Sequence, residues 1–144
     1  MVIAMSADHG GYELKQVLVA CLSAKGHQVL DFGPSCADAI DYPDKAREVT
    51  AAVVNKEAEV GILVCGSGTG MSIAANRVSG IRAVLASSEE YARLGRAHNN
   101  GNVLCLGARM INQELALCIV DVFLATPFEG GRHQRRIEKL ESMC

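Results

Sequence analysis

The segment Cys65-Gly66-Ser67-Gly68-Thr69-Gly70 concentrates the chain's most distinctive chemistry. Its glycines stand between an apolar run and a helical pattern, so the backbone can turn tightly and aim several N–H groups at one point. Such a nest, reinforced by the positive end of the following helix, stabilises negative charge. Three familiar readings fail on spelling. A Walker A loop needs Lys and then Ser or Thr after its glycines, whereas this chain continues Gly70-Met71-Ser72. A dinucleotide fingerprint follows the first strand, with an acidic partner about 20 residues on; this loop follows the third strand and has no such partner. A cysteine-phosphatase cradle puts Arg at the position that Met71 occupies. What remains is a thiol at a strand end, facing N–H donors. A helix N-terminus is an environment that favours thiolates. A poised thiolate can act as general base, while the nest steadies the oxyanion formed when a proton leaves carbon beside a carbonyl. A lone cysteine is more often a small buried residue, the reading given to Cys21, Cys105 and Cys118, but the Gly-rich loop sets Cys65 apart.

Two further groups offer complementary chemistry. In Phe128-Glu129-Gly130-Gly131-Arg132-His133, continuing through Arg136, Arg132 and Arg136 lie four apart on an expected helix. They share a face on which two guanidiniums can grip a phosphate dianion, while His133 and Arg135 point elsewhere. A solvated basic helix offset by Glu138 is the plainer alternative. The turn Ala97-His98-Asn99-Asn100-Gly101 precedes the fifth strand. It belongs at the amino edge of a parallel sheet and the nest at the carboxyl edge. His98 and Cys65 therefore meet on one substrate only if a second subunit supplies His98.

The elements that must position these groups alternate along the chain. Residues 2–6 form an apolar strand that ends at Asp8-His9-Gly10-Gly11. Leu14, Val17, Leu18, Cys21 and Leu22 then recur at helical spacing, up to a stop at Lys25-Gly26. Residues 27–32 read as a second strand. A helix starting near Asp41-Tyr42-Pro43, with Pro close to N1, runs to about Lys56. Strands over 60–65, 81–87 and 103–106 alternate with helices over 71–77, 89–96 and 113–124, and a terminal helix spans 130–143. This order predicts an α/β fold: a five-stranded parallel sheet covered by helices on both faces, a three-layer αβα sandwich, with a C-terminal helix. Ligands of such folds sit beyond the carboxyl ends of the strands, which singles out the turns after strands one, three and five: Asp8 to Gly11, Cys65 to Gly70, and Gly107-Ala108-Arg109.

Composition bounds the rest. The 144 residues, 49% hydrophobic and 21% charged, suit a single domain over 1–144. With three Tyr, three Phe and no Trp, no aromatic platform for single-stranded nucleic acid is expected. A net charge of −2 steers the chain toward neither polyanions nor anionic membrane. The six cysteines include no CxxC pair, so neither a zinc knuckle nor a dithiol motif is spelled. No signal h-region or membrane span is expected, and the reading is a reduced, cytoplasmic protein whose cysteines are mostly buried.

The segments SADHGGYELK, DYPD, ILVCGSGTGMSIAANRVSGIRA, HNNGNVLCLGARM and FEGGRHQRRIEKL, in that order, resemble the B-type ribose-5-phosphate isomerases and the related galactose- and allose-6-phosphate isomerases. The resemblance implies a Rossmann-like fold and a cofactor-free and metal-free aldose–ketose isomerase, a homodimer or dimer of dimers with sites at the subunit interface. By that similarity His98 helps to open the furanose ring and Cys65 carries a proton between C2 and C1. Gly66, Ser67, Gly68, Thr69 and Gly70 hold the enediolate, with Ser67 bonding the reacting oxygens. Asp8 meets sugar hydroxyls with Asn99 beside it, and His9, Arg109, Arg132 and Arg136 surround the phosphate. Asp41 and Tyr42 fall in a family motif near the sugar, although Asp41 also suits a helix N-cap. Many members with the cysteine carry Thr where this chain has Ser67. Another branch lacks it and uses a Glu just after the loop, where Met71 stands here, which leaves Cys65 as the base. A hexose 6-phosphate or rare free sugar is the alternative substrate, and a non-catalytic sugar-phosphate-binding subunit is the alternative of another class.

Overall fold

A computed structural model describes residues 1–143. The elements run β1 (Val2–Ala7), α1 (Tyr12–Ala24), β2 (Gln28–Asp31), α2 (Tyr42–Val54), β3 (Val60–Cys65), α3 (Thr69–Asn76), β4 (Ala83–Leu85), α4 (Glu89–Ala97), β5 (Val103–Gly107), α5 (Gln113–Ala125) and α6 (Arg132–Glu141). The five strands form one parallel sheet in the order β2-β1-β3-β5-β4. Chain connections leave β1 in one direction to β2 and in the other to β3, so the β1/β3 boundary is the topological switch point where such sheets open a crevice. Register aligns the strand ends there: Ala7 pairs with Val64, and Cys65 with Gly107.

Alternation along the buried strands divides the core between the two faces. Ile3, Met5, Ile62, Val64, Leu104 and Leu106 turn one way, onto the apolar stripes of α1 and α5. Ala4, Leu63, Cys65, Val103 and Cys105 turn the other way, onto Val49 and Val53 of α2 and Met71 of α3. Each interior strand is therefore covered twice, which is why β3 and β5 read as unbroken apolar runs.

Several boundaries differ from the sequence reading for local reasons. Strand β4 is shorter than the expected 81–87, because the Asn102 side chain takes over the Arg82 N–H at 2.8 Å before pairing begins. Helix α6 starts at Arg132 rather than 130, since Gly130 and Gly131 hold positive φ angles of 66° and 57°. Helix α3 begins two residues earlier than expected, at Thr69, so the Gly-rich loop passes directly into its first turn. The cysteines also divide differently. Among the described residues only Cys65 and Cys105 are buried cysteines, while Cys21 is half-buried and Cys36 and Cys118 are exposed. Cys118 lies on the outward side of α5, between the core-facing Ala116 and Ile119.

The loop from β2 to α2 is tied down by side chains that reach its carbonyls. Lys15, fully buried, gives Nζ to both Asp31 oxygens at 2.6 and 2.8 Å and to the Pro34 carbonyl at 3.2 Å. Ser6 Oγ donates to the Gly33 carbonyl at 2.8 Å, and Lys45 Nζ to the Phe32 carbonyl at 2.8 Å. These bonds fix where Tyr42 enters α2. No described helix is long and apolar enough to cross a membrane.

Candidate active site

At the switch point the turns after β1, β3 and β5 are stitched together by backbone. Asp8 N donates to the Val64 carbonyl at 3.1 Å, Ala108 N to Cys65 at 2.8 Å and Arg109 N to Gly66 at 2.9 Å. They enclose a cavity of about 290 Å³ lined by Asp8, Tyr42, Cys65, Ser67, Arg109 and Met110, with Gly66 and Gly70 as its backbone wall. Cys65 is 4% exposed, at the cavity wall, and its Sγ accepts the Gly68 N–H at 3.1 Å. Gly68 makes that bond from φ 79°, ψ −19°, the left-handed region, as the residue capping α3. Ser67 Oγ accepts the Thr69 N–H at 3.3 Å. Asp8 Oδ1 accepts the Gly11 N–H at 3.1 Å, which fixes its carboxylate at the cavity wall.

Arg109 lies along this edge. Its guanidinium packs over Gly66 and Gly10, so close that a Cβ on Gly66 would stand 2.9 Å from Nη1. It forms no ion pair among the described residues. On its far side it shares a second hollow, of about 580 Å³, with His9 and Glu13. A cation with no ion-pair partner among the described residues, poised between two hollows, is equipped to meet an anion. Cys105, behind Cys65 in the core, has no such role: burial, with Cys65 nearby, pushes its thiol far above the ordinary range.

The remaining candidates gather elsewhere. His98 caps the C-terminus of α4, and Asn100 beside it borders a hollow shared with Met1, Glu59 and Val60, the leading ends of β1 and β3. This is the amino edge, as the sequence order requires. The His98 ring stacks on His133 of α6, with centroids 4.2 Å apart and planes 12° from parallel. Both Nε2 atoms face Glu129 Oε2, at 3.7 and 3.6 Å. Burial depresses the His133 pKa, and the neighbouring His98 and Arg132 act in the same direction. Arg132 and Arg136 are exposed and have no ion-pair partner among the described residues. One chain thus joins Asp8, Cys65, Gly66, Ser67, Gly70 and Arg109 around a cavity, with His9, Gly68 and Thr69 adjoining. His98, Asn99, Arg132 and Arg136 do not line that cavity.

The pattern described as Ribose/Galactose Isomerase matches residues 3–140. The chain belongs to that family. It is 46% identical over 141 residues to ribose-5-phosphate isomerase B of Escherichia coli K12, across 98% of this chain and 95% of that protein. The structure superposes with a TM-score of 0.97 on a ribose 5-phosphate isomerase from Thermotoga maritima at 50% identity, covering 98% and 97% of the two chains. It does so with 0.95 on ribose-5-phosphate isomerase B from Mycoplasma genitalium with bound ribulose-5-phosphate, at 45% identity over 99% and 95%. The family resemblance and the five-stranded αβα architecture are both borne out.

Within this family frame, two cavity residues carried little weight in the sequence reading. The Tyr42 ring packs against Gly70, where a Cβ would come within 2.9 Å of it; the DYPD motif and the helix start at Pro43 were its local signals. Met110, 69% exposed, follows Arg109 into the wall and left no periodic trace. Asp41 occupies the N-cap of α2 but makes no side-chain cap bond there. His133 was expected to point away and is instead buried. Its spacing to Ile137, also buried and four residues on, was the available sign of an inward face.

Proposed function

We propose that this chain is an aldose–ketose isomerase, one domain over residues 1–144, that interconverts ribose 5-phosphate and ribulose 5-phosphate. The observation that carries the reading is the Cys65 thiol in a cavity wall, its sulfur met by the Gly68 N–H at 3.1 Å and flanked by further loop amides. The named relatives, one of them with ribulose-5-phosphate bound, support the pentose as substrate.

In the mechanism, Cys65 as thiolate takes the proton from C2 of the open-chain aldose. The C–H electron pair becomes the C1–C2 double bond, and the carbonyl oxygen at C1 takes the negative charge. Backbone N–H groups of Gly66 to Gly70 hold that enediolate, and Ser67 bonds its oxygens. Cys65 returns the proton to C1 as the O2 proton passes to O1, leaving the C2 carbonyl and the C1 hydroxyl of the ketose, so the step is redox-neutral. Asp8 and Asn99 hold sugar hydroxyls, and His98 moves the proton that opens the furanose. Arg109, His9, Arg132 and Arg136 bind the phosphate, whose binding energy holds C1 and C2 against the thiol. A general base contributes about 10²–10⁴-fold and one oxyanion donor about 10²–10³-fold, so both are required.

Because His98 and Cys65 lie at opposite edges of the sheet, the complete site needs the partner's His98. An apolar face supports this arrangement. Leu85, Tyr91 and Met110 line a hollow that reaches Ser67 and Thr69, and Tyr91 also lines a larger one, of about 540 Å³, that reaches Asn99. A twofold pairing over Tyr91 brings the amino-edge turn of one copy toward the nest of the other. Such a homodimer, or a dimer of dimers, keeps its unpaired thiols reduced in the cytoplasm. The test is turnover across a panel of pentose 5-phosphates and hexose 6-phosphates. Preference for ribose 5-phosphate, lost in Cys65→Ala, is expected; preference for a hexose 6-phosphate corrects the substrate, and binding without turnover overturns the enzyme reading.

A further inference from the structure

The start of α6 holds an imidazole that the isomerase chemistry leaves unused. The His133 side chain is 7% exposed, and its Nε2 is buried with no hydrogen-bond partner among the described residues. Glu129 Oε2 faces it at 3.6 Å, beyond the separation of about 3.2 Å at which good hydrogen bonds end. A buried nitrogen without a partner costs free energy, so packing alone would be served better by leucine. What the ring does use is its face. It lies 4.2 Å from the His98 ring, centroid to centroid, with the planes 12° from parallel. Burial depresses the His133 pKa, which leaves this ring uncharged at neutral pH, so it stacks on His98 without competing for a proton. The backbone builds the stack in. His98 ends α4, its N–H on the Leu94 carbonyl at 2.9 Å, and its side chain is 35% exposed. Glu129 N donates to the Ala97 carbonyl at 3.0 Å, which ties the loop before α6 to that end of α4. Gly130 and Gly131, at φ 66° and 57°, then turn the chain so that α6 begins at Arg132 with His133 and Ile137 facing inward.

We propose that His133 is a positioning residue for His98, a flat, neutral platform that fixes the plane of the ring assigned to furanose opening. The role rests on the isomerase reading. A part-exposed ring at a helix end turns about two side-chain torsions; with one face covered by a buried ring it keeps a single plane. Proton transfer to a sugar oxygen depends on that placement, since a misplacement of about 1 Å can cost 10²-fold. The platform also sits on the helix that carries Arg132 and Arg136 on another, exposed side. One rigid element therefore aligns the phosphate grip with the ring-opening group. Leucine at 133 would fill the space and leave the His98 ring free to turn. The effect is confined to ring opening, which gives it a signature. Ribulose 5-phosphate cannot close a furanose, because its 5-oxygen carries the phosphate. Exchange of its C1 proton with solvent through the enediolate therefore needs Cys65 and the nest but not His98.

His133→Leu and His133→Phe in the full-length protein separate the platform from packing. His133→Leu should melt within a few degrees of wild type, yet convert ribose 5-phosphate about 10–10²-fold more slowly. In deuterated water it should still place deuterium at C1 of recovered ribulose 5-phosphate at the wild-type rate. His133→Phe restores a flat face and should convert ribose 5-phosphate within about threefold of wild type. One readout needs no turnover: the His98 ring protons, shielded in NMR spectra by the stacked ring, should move downfield in His133→Leu and stay shielded in His133→Phe. Wild-type conversion by His133→Leu overturns the role. So does His133→Phe no faster than His133→Leu, which would make a ring nitrogen the working part. Parallel loss of conversion and C1 exchange overturns it too, because the damage would then reach the nest, and unmoved His98 protons overturn the stack itself. A wild-type protein inert toward ribose 5-phosphate would fail the isomerase reading and the role with it, a result distinct from all of these.

Discussion

Gly68→Ala is the most informative single change, because Gly68 couples backbone conformation to the reacting sulfur. At φ 79° and ψ −19° an L-residue costs about 1–2 kcal/mol. The new Cβ would lie 2.5 Å from Leu85 Cδ1, which can rotate away. It would also lie 3.0 Å from the Leu106 carbonyl carbon and 3.1 Å from Gly107 N, which are β5 backbone in the middle layer and cannot. Relief comes by moving the first turn of α3 outward, which draws the Gly68 N–H off Cys65 Sγ. The total is about 2–3 kcal/mol, well inside the 5–15 kcal/mol typical of a folded domain, so the variant folds. Its melting temperature should fall by about 5–10 °C. With the Gly68 N–H withdrawn from the sulfur that it stabilises, kcat should fall about 10²–10³-fold, while KM changes less, because the helix that moves carries none of the phosphate ligands. Thermal melting and a turnover assay on ribose 5-phosphate read the two effects separately. Wild-type kcat in a protein whose melting temperature has dropped as expected would mean that the nest is structural only.

Three other outcomes are expected. Mixing inactive Cys65→Ala and His98→Asn chains, followed by subunit exchange, should restore about a quarter of wild-type turnover, because half the dimers then hold one intact composite site; no recovery would place both residues in one chain's site. Lys15→Ala should lose about 2–4 kcal/mol in urea unfolding, as it empties a buried space and strands Asp31; Lys25→Ala, which breaks an exposed pair with Asp121, should leave the midpoint where it was. Iodoacetamide followed by mass spectrometry should label Cys36 and Cys118 first and Cys105 only on unfolding, since Cys105 is fully buried and burial holds it as the neutral thiol. Labelling of Cys105 at the rate of Cys118 would contradict the packing.

Sequence and structure agree where a residue type has only one physical use. The Gly-rich loop could be read because its glycines sit between an apolar strand and a helix, and Gly68 does take the left-handed conformation that the spelling implied. The opposition of nest and His98 followed from the parallel order alone. Side chains that act through tertiary packing were harder to see. His133 turns inward because α6 begins after two positive-φ glycines, which rotates its first turn relative to a helix counted from residue 130. Tyr42 reaches the cavity only because Lys15, Ser6 and Lys45 anchor a loop far from them in sequence. Cys21 and Cys118 were misjudged because a small apolar side chain on a helix fits either its buried stripe or its flank.

Isotope exchange reads the proton transfer proposed for Cys65 directly. Ribulose 5-phosphate incubated in deuterated water with the wild-type protein should yield ribose 5-phosphate carrying deuterium at C2. Cys65→Ala should bind the sugar phosphate and melt as wild type does, yet lose turnover and deuterium incorporation together by about 10²–10⁴-fold. Incorporation by Cys65→Ala at the wild-type rate would show that another group moves the proton.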